Sequence, residues 1–378
     1  MTDTQSTRLG DVLKVKHGFA FPGEHFTDDP SYPTLVTPGN FALGGGFQET
    51  KTKTYLGEVS PDYLLDPGDL IVTMTDLSKS ADTLGLPAIV PEGKAYLHNQ
   101  RIGRVLIADP TKVDKRFLSY FLRTAAYRSY IVGTASGTTV RHTSPTRIED
   151  YVAKLPLMDQ QIAVAEVLGA LDDKIAANTK VATTAIALAS LSYDVAAKAI
   201  PVIAMSHALT PILGGTPARS RADFWTGEHP WISAKDVTNA PSGIVIETAE
   251  TISAKAAAST KAKPLPIGSV ILTARGTVGA VARLGMPSSF NQSCYGFVPG
   301  RLPAGVLYFA IQRASIQARS LAHGSVFDTI TMKTFDHVYV PDPEAAGVRE
   351  LNAKVEPLLD LVTSAVAENR SLAVTRDT

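Results

Sequence analysis

The 36 Lys and Arg of this 378-residue chain are matched by 36 Asp and Glu, so no net charge draws the molecule as a whole to a nucleic acid or a membrane surface. A single cysteine, Cys294, excludes an internal disulfide or a cysteine-based zinc site and reads as a small buried hydrophobe. No apolar run reaches the 18 or so residues of a membrane span, and MTDTQSTRLGD carries no apolar signal core, so the expected compartment is the cytoplasm.

Residues 1–154 are expected to form a mixed domain. β-Branched runs at Thr34 to Thr37, Leu70 to Met74 and Ile102 to Ala108 are bounded by Pro, Gly and Asp, as strands are. Between Asp114 and Ile131 the pattern turns helical, with Phe117 and Phe121 one turn apart. A polar loop, GTASGTTVRHTSPTR, then leads through Tyr151 and Val152 into LPLMDQQIAVAEVLGALDDKIAANTKV.

From Pro156 to Pro201 there is no further proline and Gly169 is the lone glycine, so residues 155–200 predict one helix of roughly 40 residues, about 60 Å long. Val164, Leu168, Leu171, Ile175, Asn178, Ala182 and Ala185 recur at spacings of four and three, the period of a coiled-coil seam.

Residues 201–340 repeat the order of the first domain in different words. LDPGDLIVT at Leu65 is answered by LPIGSVILT at Leu265, NQR at Asn99 by NQS at Asn291, and the loop before the long helix by AHGSVFDTITMKTFDHVYVP from Ala322. Core segments persist and loops vary, as in a duplication. Residues 341–378 then repeat the seam as Leu351, Val355, Leu358, Val362, Ala365, Asn369 and Leu372. Here the start lacks the Gln160–Gln161 pair, and Pro357 is expected to kink the helix or begin a new one.

Charge is unevenly placed. Arg101 to Arg147 holds nine basic residues against Asp109 and Asp114, and Thr251 to Phe327 holds eight with no acid. Each domain thus has its own basic region, the footprint expected of a nucleic-acid partner. For catalysis there is no phosphate-binding loop, no dinucleotide fingerprint, no H-E-x-x-H, no nucleophile elbow and no Asn/Asp-Pro-Pro-aromatic tetrapeptide. The eight histidines lack ligand spacing, so neither a metal nor a catalytic site is expected.

The run from Leu155 to Val181 resembles the central region of specificity subunits of type I restriction-modification enzymes. SGTTVRHTSPTRIEDYVAKLP is similar to that family's closing segment of a target-recognition domain, and TMTDLSKSADTLGLPAIVP and ILTARGTVGAV to its strand-and-loop segments. The resemblance covers essentially the whole chain. It implies an α+β protein in which two globular mixed α/β target-recognition domains stand in tandem pseudo-repeat, 1–154 and 201–340, separated by two long antiparallel coiled-coil helices, 155–200 and 341–378.

The family implies a non-catalytic subunit in the cytoplasm that reads a split, asymmetric site on double-stranded DNA, one domain per half. Paired helices set the gap and hold two methyltransferase subunits, which restriction subunits can join. No cofactor is expected on this chain, S-adenosylmethionine belonging to the methyltransferase.

For DNA contact, residue type and position beside strand ends point to Lys79, Asn99, Gln100, Arg101, Thr138, Thr139, Arg141 and His142, and in the second domain to Arg275, Thr277, Asn291, Gln292 and Ser325. Gly137 and Gly324 read as turn formers. Val164, Leu168, Leu171 and Ile175 are expected to pair with Leu351, Val355, Leu358 and Val362. The competing readings are a structural or phage-defence adaptor that clamps two partners without reading sequence, and a self-contained enzyme working in a cleft between the domains.

Overall fold

The computed structural model describes residues 5–49, 52–78, 80–322 and 329–378. They fall into two compact units, Met1–Ala170 and Leu171–Thr378. The first unit is built on strands β1 (Leu13–His17), β2 (Leu70–Thr73), β3 (Thr75–Asp76), β4 (Pro87–Ile89), β5 (Ile102–Ile107) and β6 (Arg141–His142). Four of them form an antiparallel sheet in the order β1-β5-β2-β4, and β3 pairs with β6 beyond its end.

β2 is apolar at successive positions because both of its faces are covered. Leu70 and Val72 enter one core with Phe117, Leu118, Tyr127 and Ile131, while Ile71 enters another with Phe41, Ala88 and Tyr96. The stretch expected to be helical from Asp114 to Ile131 is two helices, α1 (Lys115–Phe121) and α2 (Ala125–Gly133), with Thr124 extended between them. The break lets Tyr127 and Ile131 turn into the same core as Phe117 and Leu118.

Then comes α3 (Met158–Ala197), an unbroken 40-residue helix, as its composition predicts. Gln161, 1% exposed, fixes its start: Nε2 donates to the carbonyls of Lys112 and Pro156 at 2.9 Å, and Oε1 accepts from the Asp114 amide at 2.9 Å. Gln161→Ala leaves these three part-buried backbone groups unpaired. It is expected to destabilise the first unit by about 2–3 kcal/mol, read as a lower midpoint in urea unfolding.

The second unit repeats the plan with β7 (Ile212–Leu213), β8 (Val270–Thr273), β9 (Val281–Leu284) and β10 (Cys294–Phe297), followed by α4 (Ala304–Ala322) and α5 (Gly347–Asp377). Its sheet runs β7-β10-β8-β9, the order of the first unit, with Ile244–Val245 added in parallel at the β9 edge. Val270 and Leu272 again face one core and Ile271 another. In both units the first and last strands pair antiparallel just before a long helix, Gln5–Arg8 with Val152–Leu155 and Val202–Ala204 with Tyr339–Pro341.

The missing Gln pair is replaced rather than lost. Asn352 Oδ1 accepts the amides of Gly305 (3.0 Å) and Val306 (3.3 Å), capping α4 as Gln161 serves the entry to α1. α5 also runs through Pro357 instead of ending there. Pro357 and Ala353, the residue whose carbonyl loses its donor, both face solvent, where water can satisfy that carbonyl.

Within the second unit α3 and α5 pair antiparallel. Arg376 binds Asp172 at 2.7 Å, Asn369 donates to the Ile175 carbonyl (3.2 Å) and to Thr179 (3.1 Å), and Asn178 donates to Glu368 at 2.7 Å. Further along, Ala182 and Ala185 meet Val362, Ala365 and Val366.

The seam thus follows the expected stripe at Asn178, Ala182 and Ala185 of α3 and at Ala365 and Asn369 of α5, and departs from it towards the start of each helix. Val362 lies in it, and Leu358 and Ile175 border it half-buried. Leu351 and Val355 join the main core of the unit with Leu307 and Phe309 of α4. Leu168 and Leu171 are half-buried, and Val164 is 40% exposed, the neighbouring Ala165 being the residue that enters the core of the first unit. No helix among the described residues is long and apolar enough to cross a membrane.

Candidate nucleic-acid interface

Most of the contact residues expected in the first unit gather at one end of its sheet, where β5 begins and β2 ends. Asn99, Gln100 and Arg101 form a turn in which Asn99 Oδ1 accepts the Arg101 amide at 3.0 Å and the Asn99 carbonyl accepts that of Ile102 at 2.9 Å. The turn is tied to the segment after β1, Phe19 N to His98 O at 2.8 Å and Gln100 N to Phe19 O at 2.9 Å. Met74 links it onward, donating to Arg101 O at 2.8 Å and accepting from Thr143 N at 3.0 Å.

That last bond holds β6 and its hairpin. Ser136 bridges His142, Gly137 turns at φ +88°, and Thr138 and Thr139 stand exposed at the tip. Arg147, which sequence reasoning passed over, pins the hairpin by donating to Ser136 Oγ (3.3 Å) and His142 O (3.4 Å). Gln100, Arg101 and His142 are exposed, and Asn99 and Arg141 half-buried.

The second unit holds the same frame. Asn291 Oδ1 accepts the Ser293 amide at 3.1 Å, its carbonyl accepts that of Cys294 at 3.2 Å, Gly215 N reaches Phe290 O at 2.9 Å, and Ala274 donates to Ser293 O (2.8 Å) and accepts from Ile330 N (3.1 Å). Arg275 and Thr277 stand exposed in the loop after β8, beside exposed Gln292, whose side chain is met by Thr216. Cys294 is buried as expected, and burial pushes its thiol up to about 12, so it is no nucleophile. Lys79, Ser325 and Gly324 lie outside the described residues.

Two glycines make the frame possible and were not singled out in the sequence. A Cβ on Gly18 would lie 2.2 Å from Asn99 O, and one on Gly214 2.1 Å from Asn291 O. Backbone approaches backbone so closely that no side chain fits. The only advance signal is that both glycines sit 196 residues apart at the end of β1 and β7.

Beneath the first turn lies His98, fully buried, its Nε2 on Ile102 O at 2.9 Å; Phe290 holds the equivalent place in the second unit. Burial, reinforced by nearby Arg104, Lys16 and His17, drives His98 down to about 4. An unfolded chain takes up this proton near pH 6.5, so between pH 6.5 and 4 the unfolded state binds more protons. The associated stability, up to about 3 kcal/mol, is complete above pH 6.5 and drains away as pH falls towards 4. His98→Phe is expected to flatten this acid loss in pH-dependent unfolding of the first unit.

Among the described residues no arrangement of general acid, base and nucleophile forms at either turn, and no cluster of three His, Cys, Asp or Glu could hold a metal. What the two sites offer is exposed amides, hydroxyls and cations on a rigid backbone. A model of the type I restriction modification DNA specificity domain matches residues 1–184 and 211–347, one stretch for each repeat. The chain belongs to this family.

Specificity-domain relatives include the specificity subunit of the type I restriction enzyme MjaIX of Methanocaldococcus jannaschii, 25% identical over 162 residues, which are 42% of this chain and 38% of that one. The EcoBI specificity subunit of Escherichia coli is 27% identical over 164 residues, 43% of this chain and 31% of its own. The matched stretch thus spans well under half the length of either curated relative. Among solved structures, the type I restriction-modification S subunit from M. genitalium aligns over 100% of this chain and 94% of its own with a TM-score of 0.66 at 14% identity, a likeness of fold.

Proposed function

We propose that this member of the specificity-domain family reads a two-part, asymmetric DNA target as the specificity subunit of a type I restriction-modification complex. Each unit reads one half-site, α3 and α5 set the gap, and two methyltransferase subunits bind the same chain. The observation that carries this is the frame built twice from the same backbone bonds around a shared Asn-Gln pair but fitted with different neighbouring side chains: Arg101 and His142 in one unit, Arg275 and Thr277 in the other. Amides match adenine and guanidinium groups match guanine or phosphate, so one scaffold presents two sequence-reading surfaces. The chain supplies no catalytic group; S-adenosylmethionine is bound by the methyltransferase, and restriction subunits join the same assembly.

Co-expression with the methyltransferase of its own system, followed by mapping of methylated bases by long-read sequencing, tests this. A two-part motif with a fixed gap is expected. Binding that falls with salt but treats all sequences alike would identify a sequence-independent clamp instead.

The docking face for a methyltransferase is supported by a second apolar stripe on α3. Val181, Leu188, Leu191 and Val195 are exposed at spacings of seven, three and four, on a face other than the Ala182–Ala185 seam. Changing Leu188 and Leu191 together to Asp is expected to weaken co-purification of the methyltransferase at least tenfold, about 1.4 kcal/mol, with the unfolding midpoint of the free chain unchanged.

A further inference from the structure

The loop that follows Met74 in the first unit is six residues longer than its counterpart, the offset between repeats dropping from 200 at Met74 and Ala274 to 194 at Gly85 and Gly279. An insertion at a surface loop is ordinarily left to fluctuate. This one is fastened. The Asp76 carboxylate, 4% exposed, accepts the amide of Ser78 at 2.6 Å and the hydroxyl of Thr83 at 2.7 Å. Burial opposes its charge, but the bonds from Thr83 and Ser78 outweigh that and hold the carboxyl below its ordinary range.

Arg128 on α2 donates to the carbonyls of Ala81 (2.8 Å) and Asp82 (3.1 Å), and Ala81 is buried in the left-handed region at φ +55°, a strained conformation for a residue with a Cβ. Among the described residues of the loop, one large apolar side chain stands out. Leu77 is 65% exposed, next to the β3–β6 pair that carries Arg141 and the exposed His142. The loop after β8 in the second unit, ARGTVG, has no apolar side chain that is so exposed.

An apolar side chain held rigidly among base-reading amides and cations has one natural counterpart in the major groove, the C5 methyl of thymine. We propose that Leu77 is a specificity residue of the first unit that packs on a thymine methyl in its half-site. This rests on the DNA-reading function proposed above. Because the loop is pre-ordered, contact costs little conformational entropy, and discrimination arises from the methyl group that Leu77 takes out of water.

The test uses the assembled complex of this chain with its methyltransferase and synthetic duplexes carrying the mapped target, in which each thymine of one half-site in turn is replaced by deoxyuridine. The wild type is expected to bind one such duplex about fourfold more weakly, the worth of one buried methyl. The Leu77→Ser complex should bind thymine and deoxyuridine versions of that duplex equally, and in cells should methylate sites relaxed at that one position.

Wild-type indifference to every uridine overturns the proposal, as does discrimination that survives in Leu77→Ser. If Leu77→Ser weakens binding but no uridine does, Leu77 acts as a wedge between base steps and the methyl contact is refuted. A wild-type complex without any sequence motif refutes the DNA-reading function itself, a failure seen before any uridine is introduced.

Discussion

Gly214→Ala is expected to destabilise the second unit by about 3 kcal/mol or more and to erase one half of the methylation motif. The added methyl would stand 2.1 Å from Asn291 O and 2.5 Å from Phe290 O. Both obstacles are backbone atoms of the strand that leads into the recognition turn, so neither can rotate away. Relief requires β7 and the turn to part, which breaks the Gly215 N to Phe290 O bond and moves Asn291 and Gln292 off their frame. Gly18→Ala should do the same to the first unit, where the new carbon would meet His98 O at 2.3 Å and Asn99 O at 2.2 Å.

The pair separates local from global damage. Each variant should degrade a different half-site in mapped methylation and lower a different unfolding transition. Gly300→Ala is the control, because nothing lies within 4 Å of the added carbon. If either site variant keeps both half-sites and full stability, the close approach has no part in recognition.

Much of this molecule is legible in its sequence where the signal is a period or a repeat. The 40-residue helix follows from a stretch free of proline, and the duplicated sheet from matched runs such as LIVT and VILT, apolar throughout because those strands are covered on both faces. The Asn turns show themselves as NQR and NQS. What escapes is whatever depends on three-dimensional partners. HGFAF and LGGTP share nothing to mark Gly18 and Gly214, since their role lies in backbone atoms brought from 80 residues away.

The seam is legible in part. The four-and-three stripe does meet α5 at Asn178, Ala182 and Ala185, opposite the expected Val362 and Ala365. Periodicity marks that face but not how far along it the partner helix reaches: Val164 stays exposed, and Leu351 and Val355 turn into the main core of the second unit. Likewise Asn352 does for α4 what Gln161 does for α1, from a position the repeat offset does not mark.

Shortening both long helices together is expected to shorten the gap in the DNA target while leaving each half-site unchanged. Removing residues 175–181 of α3 withdraws seven residues, about 10 Å of helix, or the rise of up to about three base pairs. Taken alone, this deletion should fail, because it puts Asp172 out of register with Arg376 and removes Asn178, the partner of Glu368. Since the helices are antiparallel, the compensating segment of α5 is 366–372. Deleting both returns Asp172 to Arg376 and keeps Ala182 and Ala185 against Val362 and Ala365. The doubly shortened chain should therefore support methylation at a two-part motif with a narrower gap, whereas the single deletion should abolish it. Half-site bases that change along with the gap would mean that the helices take part in reading sequence, and the division of labour between units and helices would have to be abandoned.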